Sequence, residues 1–226
     1  MKKFITVSLA MAMCLSMTTT AFAAAGGYSG RGSGNRRVHP SAVGGSGGFS
    51  SSASAATTAQ VTAAVEAALK SGSNSITLKN KGLISLATMQ AAAALNPNLV
   101  INADTVVDGQ IVLRMFVNPA LATKNINLSG STTSKGAVAS KALFEKHFGG
   151  KFASISLGQQ DDFGMSVSMA AKLDVAGMDA ANLKAYAYNA SKNTYKALGT
   201  ATVDANGFVH FTTPAGGYIL VSDKAL

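Results

Sequence analysis

The sequence predicts an α+β fold that is mainly β, with an antiparallel, sandwich-like domain and about three helices in or before the sheet region. Short segments in which apolar and polar residues alternate outnumber segments with helical periodicity. Turn-forming sequences such as Asp108-Gly109 separate the alternating segments. These segments do not follow a repeated strand-helix-strand order, so we expect no β-α-β unit.

Three segments have the spacing of apolar residues that is typical of an amphipathic helix. The first covers residues 58–69 and is followed by Gly72 as a stop signal. The second, residues 85–95, is rich in alanine and ends before Pro97, which cannot continue a helix. The third contains the apolar residues between 142 and 148. We therefore expect two helices early in the chain and one between strands.

In the first half of the chain, alternation predicts strands at residues 75–78, 99–103, 110–117 and 126–128. Asp and Gly tolerate the positive φ angles that a two-residue hairpin turn requires. The dipeptide Asp108-Gly109 therefore predicts that the second and third of these strands pair as a hairpin.

In the second half, residues 152–157 and 165–173 alternate on either side of the polar segment 158–164, which predicts another hairpin. The remaining chain consists of short alternating segments separated by turn residues. We expect about four of these segments to close the domain as an antiparallel meander. They are residues 183–188, 195–203, 208–212 and 218–222.

The first 23 residues have the three parts of a secretory signal peptide. Lys2 and Lys3 are basic, an apolar stretch follows, and Ala21-Phe22-Ala23 provides a small-x-small cleavage site. The sequence thus predicts export and a secreted, extracellular location, with or without association with a cell wall. The apolar stretch is shorter than the roughly 20 residues of a transmembrane helix, so we expect no membrane span.

Residues 24–54 are rich in Gly, Ser and Ala and hold few large apolar side chains, so we expect a flexible linker. Residues 55–226 form the predicted β-rich globular domain. The one cysteine, Cys14, lies in the predicted signal peptide, so we expect no disulfide in the mature chain. A domain of about 170 residues is large enough to be stabilised by its hydrophobic core.

The mature chain is basic. Removing Lys2 and Lys3 from the 19 basic residues leaves 17 against 10 acidic ones, a net charge of +7. This charge is spread along the chain and is not interleaved with stacking aromatic residues, so we do not expect a nucleic-acid partner. Anionic cell walls or polysaccharides are the expected partners. Arg36 and Arg37 of the linker are candidate ligand-binding residues; the alternative is that the linker is only a spacer.

The sequence offers few groups for catalysis. A glycosidase needs two facing carboxylates, and of the two glutamates and eight aspartates only Asp161 and Asp162 stand out as a pair. Adjacent carboxylates are typical of a turn, with a weak calcium site or a catalytic role as alternatives. Zinc needs three or four ligands, and His39, His147 and His210 are widely separated. We therefore predict no enzyme activity, no cofactor and no metal.

Tyr186 and Tyr188 are also candidate ligand-binding residues. They are two residues apart on a predicted strand and therefore share one face of the sheet. Because the chain has no Trp, its tyrosines are the natural rings for stacking on a sugar. Packing of both rings against a neighbouring layer is the favoured alternative.

Residues 61–226 loosely resemble an accessory module of secreted proteins from Gram-positive anaerobes, and the resemblance is tightest over the last 45 residues. The resemblance is carried by the aromatic segments 182–189 and 194–198, by the Val-x-x-x-Gly-aromatic pattern within 203–212, and by the closing segment 217–222. Residues 213–217 depart from the pattern, because relatives there carry a histidine, a serine and an aspartate. The resemblance implies a β-rich domain at a cell surface with no established catalytic residues.

Together these features predict a secreted, non-catalytic binding or adhesion module of the cell surface or extracellular space. One alternative is a structural component that assembles through exposed strand edges, since small and β-branched residues dominate. A second alternative is a hydrolase, for which isolated residues such as Asp161, Asp162 and His210 would have to converge.

Overall fold

A computed structural model describes residues 53–132, 138–190 and 192–226. The predicted signal peptide and residues 24–52 of the predicted linker lie outside these ranges. The described part is α+β and mainly β, which confirms the predicted fold class. Its helices are α1 (Thr58–Lys70), α2 (Leu86–Leu95) and α3 (Val138–Phe148). None of these helices is long and apolar enough to cross a lipid bilayer.

The strands of the described part are short, and most lie where alternation predicts them. They are β1 (Ser54–Ala56), β2 (Ser75–Lys79), β3 (Lys81–Ile84), β4 (Val100–Val107), β5 (Gln110–Val117), β6 (Ile126–Asn127), β7 (Gly130–Ser131), β8 (Ala153–Leu157), β9 (Asp162–Lys172), β10 (Lys184–Asn189), β11 (Thr194–Thr200), β12 (Thr202–Val203), β13 (Phe208–Ala215) and β14 (Tyr218–Ser222). Because β1 begins at Ser54, regular structure starts inside the segment predicted as linker.

The largest sheet has six strands in the order β12-β13-β9-β5-β4-β2. Its strands are antiparallel except for β2 and β4, which are parallel neighbours. The predicted hairpin of β4 and β5 is confirmed, since Asp108 and Gly109 both adopt positive φ angles in the turn between them. Side chains alternate across this sheet, so one face is buried and the other carries exposed residues such as Ser168 and Thr212.

The parallel pair β2 and β4 corrects the expectation that the fold has no β-α-β unit. Parallel neighbours cannot be joined by a tight turn, so the chain must cross over between them. It does so through β3, which belongs to another sheet, and α2, whose N-terminus is capped by the Ser85 side chain. The sequence does not indicate this β-α-β unit, because the short strand β3 interrupts the strand-helix-strand order.

The second sheet has five antiparallel strands in the order β11-β10-β14-β8-β7. The predicted hairpin of β8 and β9 is therefore wrong: β8 pairs with β14, whereas β9 lies in the six-stranded sheet. The predicted closing meander is also wrong, because its strands are divided between the two sheets. The chain changes sheet at Ala201, whose buried N–H donates to the Leu183 carbonyl, and again at Gly216-Gly217.

A third, three-stranded sheet has the order β1-β3-β6, with β1 parallel and β6 antiparallel to β3. It lies next to α1 in the chain, and Thr57 between β1 and α1 forms a capping box with Gln60. The capping box satisfies backbone N–H groups that a helix N-terminus leaves unpaired. The strand β1 therefore passes directly into a well-capped helix.

The described residues form two hydrophobic clusters, one on each side of the five-stranded sheet. The larger combines the buried face of the six-stranded sheet with α1, α2 and the side of the five-stranded sheet that carries Ala185 and Ile219. The smaller joins α3, through Phe144 and Phe148, to the opposite side of the five-stranded sheet. We call the other side of the six-stranded sheet, which carries Phe116, Ser168 and Thr212, the open face.

Candidate functional site

The open face contains a groove that crosses the strands. Phe116, Ser168 and Thr212 are consecutive cross-strand neighbours on β5, β9 and β13. At the end of this row lie Leu198 and Thr200 of β11, and His210 and Phe211 of β13 complete the lining with Met169 of β9. The groove has a volume of about 340 Å³ and opens to solvent. We call the depression formed by these eight residues the groove.

The floor of the groove is built from hydroxyl groups. Ser168 and Thr212 are both exposed, and their hydroxyl oxygens are 3.3 Å apart. The ring of Phe116 is half-buried and forms one wall. The groove therefore presents an apolar ring beside two groups that can each donate and accept a hydrogen bond.

His210 borders the groove and is held in a fixed orientation. Its Nε2 lies 2.9 Å from Oδ2 of Asp204, and the Asp204 side chain also accepts hydrogen bonds from the backbone N–H groups of Asn206 and Phe208. The hydrogen bond from His210, and then that from Phe208, lowers the pKa of Asp204. The His210 side chain is 40% exposed.

Arg114 lies beside Phe116 on β5 and forms a paired interaction with Asp104 on β4. Its Nε and Nη2 donate to the two carboxylate oxygens over 2.6 and 2.7 Å. The Asp104 side chain is 1% exposed and that of Arg114 is 28% exposed. The hydrogen bond to Asp104 raises the pKa of Arg114 although partial burial opposes this. The guanidinium group is thus charged and fixed at the edge of the groove.

The adjacent carboxylates Asp161 and Asp162 have a structural role at the point where the preceding loop enters β9. Lys124 lies 3.2 Å from Asp161 and 2.9 Å from Asp162. Its hydrogen bonds are the main cause that lowers the pKa of both carboxylates. The Gly164 N–H also donates to Asp162. These interactions fasten the loop to the segment that contains Lys124.

Asp162 and His210 lie at different ends of the same pair of strands. Asp162 pairs with Ala215, five residues along β13 from His210, which corresponds to roughly 16 Å. The described structure therefore does not bring together the three residues on which the hydrolase alternative depended. Within residues 53–132, 138–190 and 192–226, no three His, Asp or Glu side chains are placed to hold a metal ion.

Tyr186 and Tyr188 are buried beneath α3. Tyr186 is 2% exposed and packs against Phe148, and Tyr188 is 7% exposed and packs against Phe144. Their hydroxyls donate to the Lys224 carbonyl and to the Asn193 side chain, respectively. Burial raises the pKa of Tyr186. The packing alternative is thus the one observed, and neither ring is available for stacking on a sugar.

Two other candidate ligand-binding residues have no described position, and the sequence pattern does not point to the residues that line the groove. Arg36 and Arg37 lie outside the described residues. Phe116, Ser168 and Thr212 were not singled out because each is ordinary in isolation. The available signal was the alternation of β5, which puts an aromatic residue on the same face as the charged Arg114.

The fold and the groove define the described part of this chain as an α+β domain of three sheets with one open sheet face. No protein-family model matches the chain, and no curated protein matches its sequence. The resemblance to an accessory module of secreted proteins therefore stays a prediction.

Proposed function

We propose that the protein is a secreted, non-catalytic module that binds cell-envelope polysaccharide through the groove. The observation that carries this proposal is the groove itself, with its half-buried aromatic wall and its floor of two hydroxyls. Binding sites for small molecules are concave, mostly apolar and equipped with a few well-placed polar groups. The groove combines the apolar side chains of Phe116 and Leu198 with hydroxyl and imidazole groups.

The chemistry of the lining suits a sugar. The C–H face of a sugar ring is apolar and can lie against Phe116, while its hydroxyls exchange hydrogen bonds with Ser168 and Thr212. The volume of about 340 Å³ is near the lower end of the range of about 300–1,000 Å³ for ligand pockets, which fits one sugar unit of a longer chain.

Charge and predicted export support the same function. The net charge of +7 expected for the mature chain favours association with the anionic polymers of a cell envelope. The predicted signal peptide would deliver the domain to that compartment. This electrostatic attraction is weakened by salt, whereas contacts within the groove are less sensitive to it.

Retention on isolated cell walls and on insoluble polysaccharides tests the proposal. Ser168→Phe fills the groove at an exposed strand position, and we expect it to lower retention by about tenfold or more. Thr77→Phe is the matched control, because Thr77 is exposed on β2 at the end of the same cross-strand row and outside the groove. Equal retention of Ser168→Phe and the wild type, or no retention of either, would overturn the proposal.

A second candidate function is assembly through strand edges, which the position of β11 favours. This strand forms one edge of the five-stranded sheet over seven residues, most of which are exposed. Exposed edges can pair with a strand of another molecule. Sedimentation of the protein at high concentration distinguishes the two candidates, since assembly predicts species larger than the monomer and the binding function does not require them.

A further inference from the structure

We infer that the groove is extended by a carboxylate subsite formed by Arg114 and His210, so that the ligand is an acidic polysaccharide. This inference rests on the proposed function and assigns the chemical class of its ligand. The subsite lies in one row of cross-strand neighbours, and the floor of the groove lies in the adjacent row.

The geometry of the sheet places the Arg114 and His210 side chains on either side of a short one. Arg114 pairs with Ala170, and Ala170 pairs with His210. The Cα atoms of Arg114 and His210 are thus two strand spacings apart, roughly 10 Å. Ala170 between them is 5% exposed, so the surface of the space between Arg114 and His210 is formed by the longer side chains around it. Phe116 and Thr212 flank the same space in the adjacent row.

Arg114 presents a prepared donor pair to this space. Guanidinium has five N–H donors in a planar fork, and Asp104 accepts from Nε and from one N–H of Nη2. Within the described residues, no acceptor is recorded for the remaining donors on Nη1 and Nη2. These donors lie along one edge of the planar guanidinium group, and their geometry matches the two oxygens of a carboxylate. Because Asp104 already fixes the side chain, binding would cost little additional side-chain entropy.

His210 offers a second contact. Asp204 binds its Nε2, and the described part of the structure records no partner for Nδ1. Neutral Nδ1 accepts a hydrogen bond from a sugar hydroxyl, whereas the protonated ring donates to a carboxylate. The same ring therefore suits a sugar that carries both groups.

The charge around the subsite is complementary to an anion. Lys79 neighbours Asp104 in the same row, and Lys172 lies over the ring of Phe208 one row away. Together with Arg114, these cations outnumber the carboxylates Asp104 and Asp204. An acidic group that approaches the groove thus meets a net positive surface.

Affinity for a matched pair of polymers tests the subsite. The probes are polygalacturonate and its fully methyl-esterified form, which differ in the carboxylate alone, measured with the mature protein at two salt concentrations. We expect the acidic polymer to bind about tenfold more tightly than the ester. Arg114→Lys keeps the charge and can still pair with Asp104 but loses the fork, so we expect it to remove most of this preference. Lys146→Gln, at an exposed position of α3 on the opposite side of the five-stranded sheet, removes one charge away from the subsite and should leave the preference intact.

The outcomes separate this inference from the proposed function. Equal affinity for the two polymers would overturn the carboxylate subsite and leave binding in the groove standing. Failure to bind any polysaccharide would overturn both. Stronger binding to polyphosphate than to polygalacturonate would overturn the assignment of a carboxylate. If Arg114→Lys does not fold by circular dichroism, His210→Gln, at a 40% exposed side chain, provides the second test and should weaken the preference for the acidic polymer.

Discussion

At the scale of single residues, Gly216 shows how the chain is held where it changes from one sheet to the other. Its N–H donates to the Asp161 carbonyl, and the next N–H, of Gly217, donates to the Gln159 carbonyl. A Cβ atom at residue 216 would collide with the carbonyl oxygens of Gln159 and Asp161. The absence of a side chain therefore allows β13 and β14 to be joined beside the loop that precedes β9.

We expect Gly216→Ala to destabilise the domain by about 3 kcal/mol, because backbone carbonyls cannot move aside as a flexible side chain does. Gly217→Ala is the control: residue 217 has a positive φ, but a Cβ there meets nothing closer than 3.8 Å, so its cost should be near 1 kcal/mol. Urea unfolding measures both. Equal free energies of unfolding for the two variants would contradict the account.

The hydrogen bonds of Lys124 lead us to predict that the stability of the domain depends on pH. Its hydrogen bonds lower the pKa of Asp161 and Asp162 below the usual value of 3.8, so their contribution is complete above that pH and is lost as the pH falls through the lowered pKa. We expect Lys124→Met to lower Tm by the same small amount at pH values well above 3.8, and the difference to shrink as the pH falls below 3.8. Lys196→Met, on exposed β11, should show no such pH dependence. A Tm difference that persists at low pH would contradict this assignment.

Local chemistry explains which turns can be predicted from the sequence. Asp108-Gly109 adopts the positive φ angles that its residue types permit, and the turn joins adjacent strands as expected. The segment 158–164 also contains Asp and Gly, but its path depends on Lys124 and Gly216, which are distant in sequence. Such partners have no local signal.

At the scale of elements, α3 covers the side of the five-stranded sheet that carries the tyrosines. Phe148 is 1% exposed, and its ring centre lies 5.4 Å from that of Tyr186 and 5.6 Å from that of Tyr195. The helix therefore contributes an aromatic layer that is separate from the larger hydrophobic cluster.

We expect Phe148→Ala to cost about 3–5 kcal/mol, because it removes a large buried ring from this layer. Lys146→Ala, at an exposed position of the same helix, should change the free energy of unfolding by less than about 0.5 kcal/mol. Tyrosine fluorescence during urea unfolding reports both. If the two substitutions have equal effects, α3 does not contribute to the core as described.

The strands themselves follow from alternation, but their partners do not. Residues 152–157 and 165–173 were predicted to pair because they are neighbours in sequence. Instead β8 pairs with β14, which begins 61 residues after β8 ends, between Leu157 and Tyr218. The alternation of apolar and polar residues indicates which side chains of a strand share a face, but it does not indicate which other strand pairs with it.

At the scale of the whole molecule, the groove exists because three distant strands meet in one sheet. Phe116, Ser168 and Thr212 come from β5, β9 and β13. Strand β11 of the five-stranded sheet contributes further lining at the end of their row. The sequence predicts the mainly β class but cannot bring these residues together. It also placed the candidate ligand-binding rings at Tyr186 and Tyr188, which tertiary packing buries under α3.

Chemical footprinting of histidines on isolated cell walls tests the central claim, that polysaccharide binds in the groove. Diethyl pyrocarbonate modifies accessible imidazole rings, and the two histidines within the described residues are both accessible: His210 at the groove and His147 on α3. His147 serves as the internal control. We predict that His210 becomes protected when the protein is bound to the walls while His147 stays reactive. Retention of the protein with His210 as reactive as in the free protein would contradict the claim.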